Sequence, residues 1–114
     1  MAFFFEGPAN LLNESALDYL IDAVQFPIFQ VELFPSIVEK AAALCWYIIR
    51  DHIFYDGNKR TGLLSALIFL EENGYTFDLD RNVIDITVAV ACGAISFEEF
   101  VAWLNSKVYI LVRS

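Results

Sequence analysis

Residues 41–49 are nine apolar residues in a row, Ala-Ala-Ala-Leu-Cys-Trp-Tyr-Ile-Ile, between Lys40 and Arg50. Ser36, with Glu39 three residues on, has the pattern of a helix-capping box. The reading is a helix that starts after Ser36, runs through Trp46 and Ile49 and ends near His52. A helix that is apolar nearly all round belongs inside a fold. At nine residues the run is too short to cross a bilayer. The rest of the chain must therefore supply the elements that bury it.

Those elements also read as helices. Leu11, Leu12, Ala16, Leu17, Leu20, Ile21 and Val24 recur at helical spacing, with Asn10 or Asn13 as a cap. Pro27 and Pro35 bracket a loop in which residues 28–31 form a short extended piece. A helix over residues 59–72 is expected to turn Leu63, Leu64, Leu67, Ile68 and Phe69 inward and to stop at Gly74. Asp80 caps a helix through Cys92, which Gly93 stops. Ser96 and Glu99 form a second capping box, ahead of a helix over residues 97–104. Residues 108–112 read as a short strand or an extended arm. No repeat, low-complexity stretch or linker divides the chain, and 114 residues make a single domain, 1–114.

Composition narrows the classes. An apolar share of 58% with 18 aromatic residues is high for a small domain. It fits either a dense core or a surface that needs a partner or a second copy. The formal charge of −8 makes nucleic acid a poor partner for the surface as a whole. Cys45 and Cys92 lie far apart in apolar segments, and the chain holds one histidine. A Cys/His zinc site is not expected; two buried free thiols in a reducing cytosol are. Residues 1–5 are apolar but have no basic residue before them and meet Glu6-Gly7-Pro8 at once, unlike a signal peptide. The chain reads as soluble and cytoplasmic, with no membrane association.

One segment carries chemistry: His52-Ile53-Phe54-Tyr55-Asp56-Gly57-Asn58-Lys59-Arg60-Thr61. Gly57 and Asn58 can turn the backbone so that successive N–H groups face one concavity, a nest for an anion. A helix starting there adds its free N-terminal N–H groups and its dipole. Lys59 and Arg60 bring positive charge to the same edge. Asp56 is a hard oxygen ligand suited to Mg²⁺ that arrives with phosphates. His52 has the side chain suited to proton transfer near neutral pH. Each feature also has a plain reading. Asp-Gly and Gly-Asn are hairpin signals, a Lys-Arg pair is commonly solvated, and a lone histidine commonly makes a structural hydrogen bond. The helical period of both flanks argues against a hairpin. On the residues alone, a phosphate site and a structural turn both stand.

The segment closely resembles the Fic/Doc signature, His-x-Phe-x-Asp/Glu-Gly-Asn-x-Arg. The likeness continues in Ala41-Ala42-Ala43-Leu44, in residues 64–70, in Asn73-Gly74 and in residues 91–96, and covers roughly residues 11–105. It implies an all-α fold: a compact helical bundle of about five to six helices with a catalytic loop between two central helices. It also implies roles. His52 takes the proton from a target hydroxyl, and Phe54 anchors the loop in the core. Asp56 holds Mg²⁺, while Gly57, Asn58, Lys59 and Arg60 hold the nucleotide phosphates. The loop bracketed by Pro27 and Pro35 matches a region near the target-binding flap.

Lysine at position 59 resembles the Doc (death-on-curing) branch, whereas Fic enzymes usually carry glycine there. The Doc likeness implies a protein kinase that uses ATP and arrests translation, with a threonine of elongation factor Tu as target. Such proteins are toxins of toxin–antitoxin pairs. No Ser/Thr-x-x-x-Glu-Gly/Asn inhibitory motif is found: Glu6-Gly7 follows Ala2 and Glu72-Asn73 follows Ile68 at that spacing. Restraint is therefore expected from an antitoxin helix in trans, for which the apolar surplus offers a binding surface. The alternatives are an AMP transferase of the Fic kind and a non-enzymatic antitoxin-binding regulatory module.

Overall fold

The computed structural model describes residues 10–25 and 36–112. The loop bracketed by Pro27 and Pro35 and the apolar residues 1–5 lie outside them. The order of elements is α1 (Glu14–Gln25), α2 (Ile37–Arg50), α3 (Asn58–Glu72), β1 (Tyr75–Thr76), α4 (Arg81–Ala91), α5 (Phe97–Lys107) and β2 (Tyr109–Ile110). The fold is mostly helical, as expected.

α2 lies at the centre. Ser36 Oγ accepts from the Glu39 N–H at 3.0 Å and fixes the helix start. Ala41, Ala42, Cys45 and Ile49 point into one core, with Ala66 and Leu70 of α3, Val83 and Val90 of α4, and Phe100 and Leu104 of α5. Ala43, Leu44 and Ile48 point into a second core, with Leu20 and Val24 of α1 and with Ile53 and Phe54 of the next loop. With a core on each side, α2 keeps only a narrow strip out of the interior, where Glu39, Lys40, Trp46 and Tyr47 are half-buried and Arg50 is exposed, which is why its middle reads as one apolar run. Part of the aromatic surplus packs at its edge: Trp46 meets Phe97 edge-on at 5.8 Å between centroids, and Phe100 stacks on Trp103 at 6.1 Å.

α3 packs differently from the sequence expectation. Its buried residues are Asn58, Thr61, Gly62, Ser65, Ala66 and Leu70. Leu63, Leu64, Leu67, Ile68 and Phe69 are only half-buried. The cause is steric. α2 offers small residues, Ala41, Ala42 and Cys45, to the shared core. The two helices close until a Cβ on Gly62 would lie 2.9 Å from the Cys45 carbonyl oxygen. Small residues fill such a seam, and Leu63, Leu67 and Phe69 pack along its flanks.

The remaining elements close the first core. Asp80 caps α4 by accepting from the Val83 N–H at 3.2 Å, and it also receives the Lys107 ammonium. The Ser96–Glu99 capping box forms in both directions, at 3.0 and 3.1 Å. β2 pairs antiparallel with β1, Tyr75 opposite Ile110 and Thr76 opposite Tyr109. The tail is thus a strand, and its partner β1 is too short to leave a pattern in the sequence.

Cys45 is buried, and burial pushes its thiol up to about 12. Cys92 corrects the expectation of two buried thiols: it is exposed, because it stands at the α4 C-cap where the chain turns outward into Gly93. No helix among the described residues is long and apolar enough to cross a membrane.

Candidate active site

α2 ends in paired hydrogen bonds. The His52 N–H donates to the Ile49 carbonyl and the Ile53 N–H to the Ile48 carbonyl, both at 3.3 Å. This pattern ends a helix on a left-handed residue. That residue is His52, at φ +49° the one non-glycine with positive φ among the described residues. α4 ends the same way: Gly93 donates to Val90 at 3.2 Å and Ala94 to Ala89 at 2.9 Å. There the left-handed position, at φ +75°, is held by Gly93. Glycine takes this conformation freely. A side chain there costs about 1 kcal/mol. The result is an exposed imidazole at the helix end, with Ile53 and Phe54 turned into the α1–α2 core.

Two clamps shape the loop after it. The first is Asn58, 8% exposed, whose Oδ1 accepts from the Phe54 N–H at 2.9 Å while its Nδ2 donates to the Phe54 carbonyl at 2.7 Å. Phe54 itself is 1% exposed and packs in the core between α1 and α2. The Asn58 side chain is committed to this clamp, so what Asn58 offers an anion is its backbone N–H.

The second clamp comes from residues 10–13, which run antiparallel beside the loop with Leu11 opposite Phe54. The Tyr55 N–H donates to the Asn10 carbonyl at 2.9 Å, and the Leu12 and Asn13 N–H groups donate to the Ile53 carbonyl at 2.9 and 3.0 Å. The Asn10 side chain donates to the Asp56 carbonyl and accepts from the Asp56 N–H, both at 3.2 Å. Asn13, not Asn10, caps α1, accepting from the Ala16 N–H at 3.2 Å. The hairpin reading is excluded: the loop's antiparallel partner lies far away in sequence, and a helix opens directly after Gly57.

That helix opens without a side-chain cap. The Thr61 N–H to Gly57 carbonyl bond, 2.8 Å, closes its first turn. The N–H groups of Asn58, Lys59 and Arg60 precede it and have no acceptor within the helix. Gly57 stands at φ +75°, and the Arg60 guanidinium folds over it so closely that a Cβ would lie 3.0 Å from Nη2. The positive φ is what calls for glycine here, since the guanidinium is the far end of an exposed, flexible side chain and can shift to make room. Asp56 is exposed, and its Oδ1 accepts from the Gly57 N–H at 2.8 Å. Lys59 is exposed on the same turn.

The arrangement suits a phosphate. It joins free N–H groups, a helix dipole and two cationic side chains, with an imidazole at the other end of the loop. No group of three or more metal-ligating side chains forms among the described residues. Asp56 is the carboxylate at this edge, so a cation held here must bring phosphate oxygens and water as its other ligands. Mg²⁺ commonly binds so.

Of the residues singled out in the sequence, Asp56, Gly57, Lys59 and Arg60 stand at the start of α3, His52 stands at the other end of the loop, and Phe54 and the Asn58 side chain are buried beneath it. Sequence reasoning missed Asn10 as a loop clamp, and a lone asparagine ahead of a helix gave no signal for that role.

Residues 9–70, which span α1, α2, the loop and most of α3, match the family model described as the Fic/DOC family. The chain is 36% identical over 81 residues to Toxin Doc of Mycolicibacterium smegmatis, covering 68% of this chain and 62% of that protein. It is 34% identical over 92 residues to Protein kinase doc of Escherichia phage P1, covering 81% of this chain and 72% of that protein. With a helical fold around a loop of this shape, the chain belongs to the Fic/Doc family, on its Doc-like branch.

Proposed function

We propose that this chain is a Doc-like toxin that transfers the γ-phosphate of ATP to a hydroxyl of a target protein. The family likeness points to a threonine of elongation factor Tu, and hence to arrested translation in the cytoplasm. One observation carries the reading: a single clamped loop presents His52, Asp56 and the uncapped start of α3, with Arg60 folded against Gly57 and lysine at position 59. The names of the two relatives, a toxin and a protein kinase, support it.

In the transfer, the target oxygen forms a bond to the γ-phosphorus as the bond to the β–γ bridging oxygen breaks. ADP leaves with that electron pair, and the hydroxyl proton passes to the His52 imidazole. Whichever phosphorus lies in line with the activated oxygen is the one transferred. Lys59 sets that choice by filling space at the start of α3. Arg60 and the free N–H groups hold phosphate oxygens. Mg²⁺, held through Asp56, would supply charge neutralisation on the nucleotide.

Restraint by an antitoxin helix in trans fits a cavity of about 440 Å³ between α1 and α2, lined by Ala16, Tyr19, Leu20, Ala23, Tyr47 and Asp51. It is mainly apolar and adjoins the residue before His52.

Mass spectrometry of bacterial extract incubated with the protein and ATP tests the reading. A mass gain of one phosphate on a target protein is the expected result. A gain of one AMP makes the chain a nucleotidyltransferase instead. No modification by the folded protein leaves the antitoxin-binding module.

A further inference from the structure

We propose that Asn10 is a positioning residue of the transfer site, holding the peptide groups on both sides of Asp56 so that its carboxylate is aimed at the nucleotide-bound cation. This rests on the phosphate-transfer reading and adds a residue that lies outside the signature. Asp56 is exposed, so no packing fixes it. Its orientation is set by hydrogen bonds. One amide, 46 positions away in sequence, both donates to its carbonyl and accepts from its N–H. The Asp56 carboxylate in turn accepts from the Gly57 N–H. A rotation of the Asp56 peptides would therefore swing the carboxylate and the residue that opens α3 together.

The two side-chain bonds are not needed to bring the segments together. The pairing of residues 10–13 with the loop uses backbone groups: Tyr55 to Asn10, and Leu12 and Asn13 to Ile53. The Asn10 side chain adds nothing to that ladder. Both of its bonds go to the residue that would ligate the cation. A group that orients a metal ligand without touching the metal typically carries about 10- to 100-fold in metal affinity.

The test uses the full chain and its Asn10→Ala and Asn10→Asp variants. Asn73→Ala serves as the control, since it removes a comparable side-chain bond, to the Phe69 carbonyl, far from the site. Calorimetry with ATP, with and without Mg²⁺, is read beside thermal melting and amide hydrogen exchange at Asp56. Asn10→Ala should bind Mg·ATP about tenfold more weakly. Its affinity for ATP without metal should be nearly unchanged, its Asp56 amide should exchange faster, and its melting temperature should stay close to that of the parent. Asn10→Asp keeps the acceptor but sets an anionic oxygen against a carbonyl, and should lose at least as much. Asn73→Ala should match the parent.

An equal loss of affinity with and without Mg²⁺, or a loss that only follows a lowered melting temperature, makes Asn10 a structural residue and overturns the proposal. So does unchanged Mg·ATP affinity in Asn10→Ala. If the parent chain binds no Mg·ATP, the transfer reading itself fails and takes the proposal with it.

Discussion

His52 occupies a position that glycine fills in the otherwise identical end of α4. The strain has a use: it sends the imidazole outward while the next two residues turn into the core. His52→Gly should therefore raise stability by roughly 0.5–1 kcal/mol, by relief of the left-handed backbone. The same change should lower phosphate transfer by about 10²- to 10⁴-fold, the usual loss with a general base. Denaturant melts and a labelled-phosphate assay on one preparation check both, and a variant that is more stable yet fully active would remove His52 from the chemistry. Lys59→Gly, which restores the Fic spelling, should lose γ-phosphate transfer and gain some AMP transfer. Parental phosphate transfer by the folded variant would end the orientation argument. The motif residues could be read because their chemistry is written in neighbouring positions. The clamps could not. Asn10 meets Asp56 across 46 positions, and nothing periodic marks that meeting. Asn58 read as a turn residue, and only the folded loop shows its amide held on Phe54.

At the scale of elements, α2 was readable in full and the contact side of α3 was not. Periodicity finds the most apolar face of a helix, whereas the distance between two helices is decided by side-chain size. Large residues on α3 suggested an inward face, but the seam with α2 is built on Gly62, Ser65 and Ala66. Gly62→Ala illustrates the difference. In an exposed helix the change would stabilise by about 1 kcal/mol. Here the new methyl would press on the Cys45 backbone, and a net destabilisation of about 1–3 kcal/mol is expected from chemical denaturation. A melting temperature at or above the parental value would mean that the seam can open without cost. Ser65→Ala should behave oppositely. Its hydroxyl is buried without a hydrogen-bond partner among the described residues. Its removal should be neutral or stabilising by up to roughly 1 kcal/mol.

Across the whole molecule, the C-terminal segment ties three helices together. Lys107 at the end of α5 reaches Asp80 at the start of α4. The Tyr109 hydroxyl donates to Asp78 at 2.7 Å, and the Leu111 N–H donates to the Gly74 carbonyl just past α3 at 2.9 Å. The Lys107 hydrogen bond, aided by the Val83 N–H, holds the Asp80 carboxyl below the ordinary carboxylate range. A carboxyl lowered in the folded state stabilises above its unfolded value, near 3.9, and loses that contribution as pH falls through its folded value. Melting temperature should thus decline on acidification in that window, and Asp80→Asn should flatten this part of the profile. An unchanged profile in Asp80→Asn would assign the acid response to other carboxylates. The pairing of residues 10–13 with the loop bears on timing. During synthesis the earlier strip leaves the ribosome first and stays unpaired until the loop and the first turn of α3 have followed. The clamped loop can therefore take shape only once residues 10–13, the central helix and the loop itself are all out of the ribosome, so the site edge is completed from the middle of the chain and not from its start.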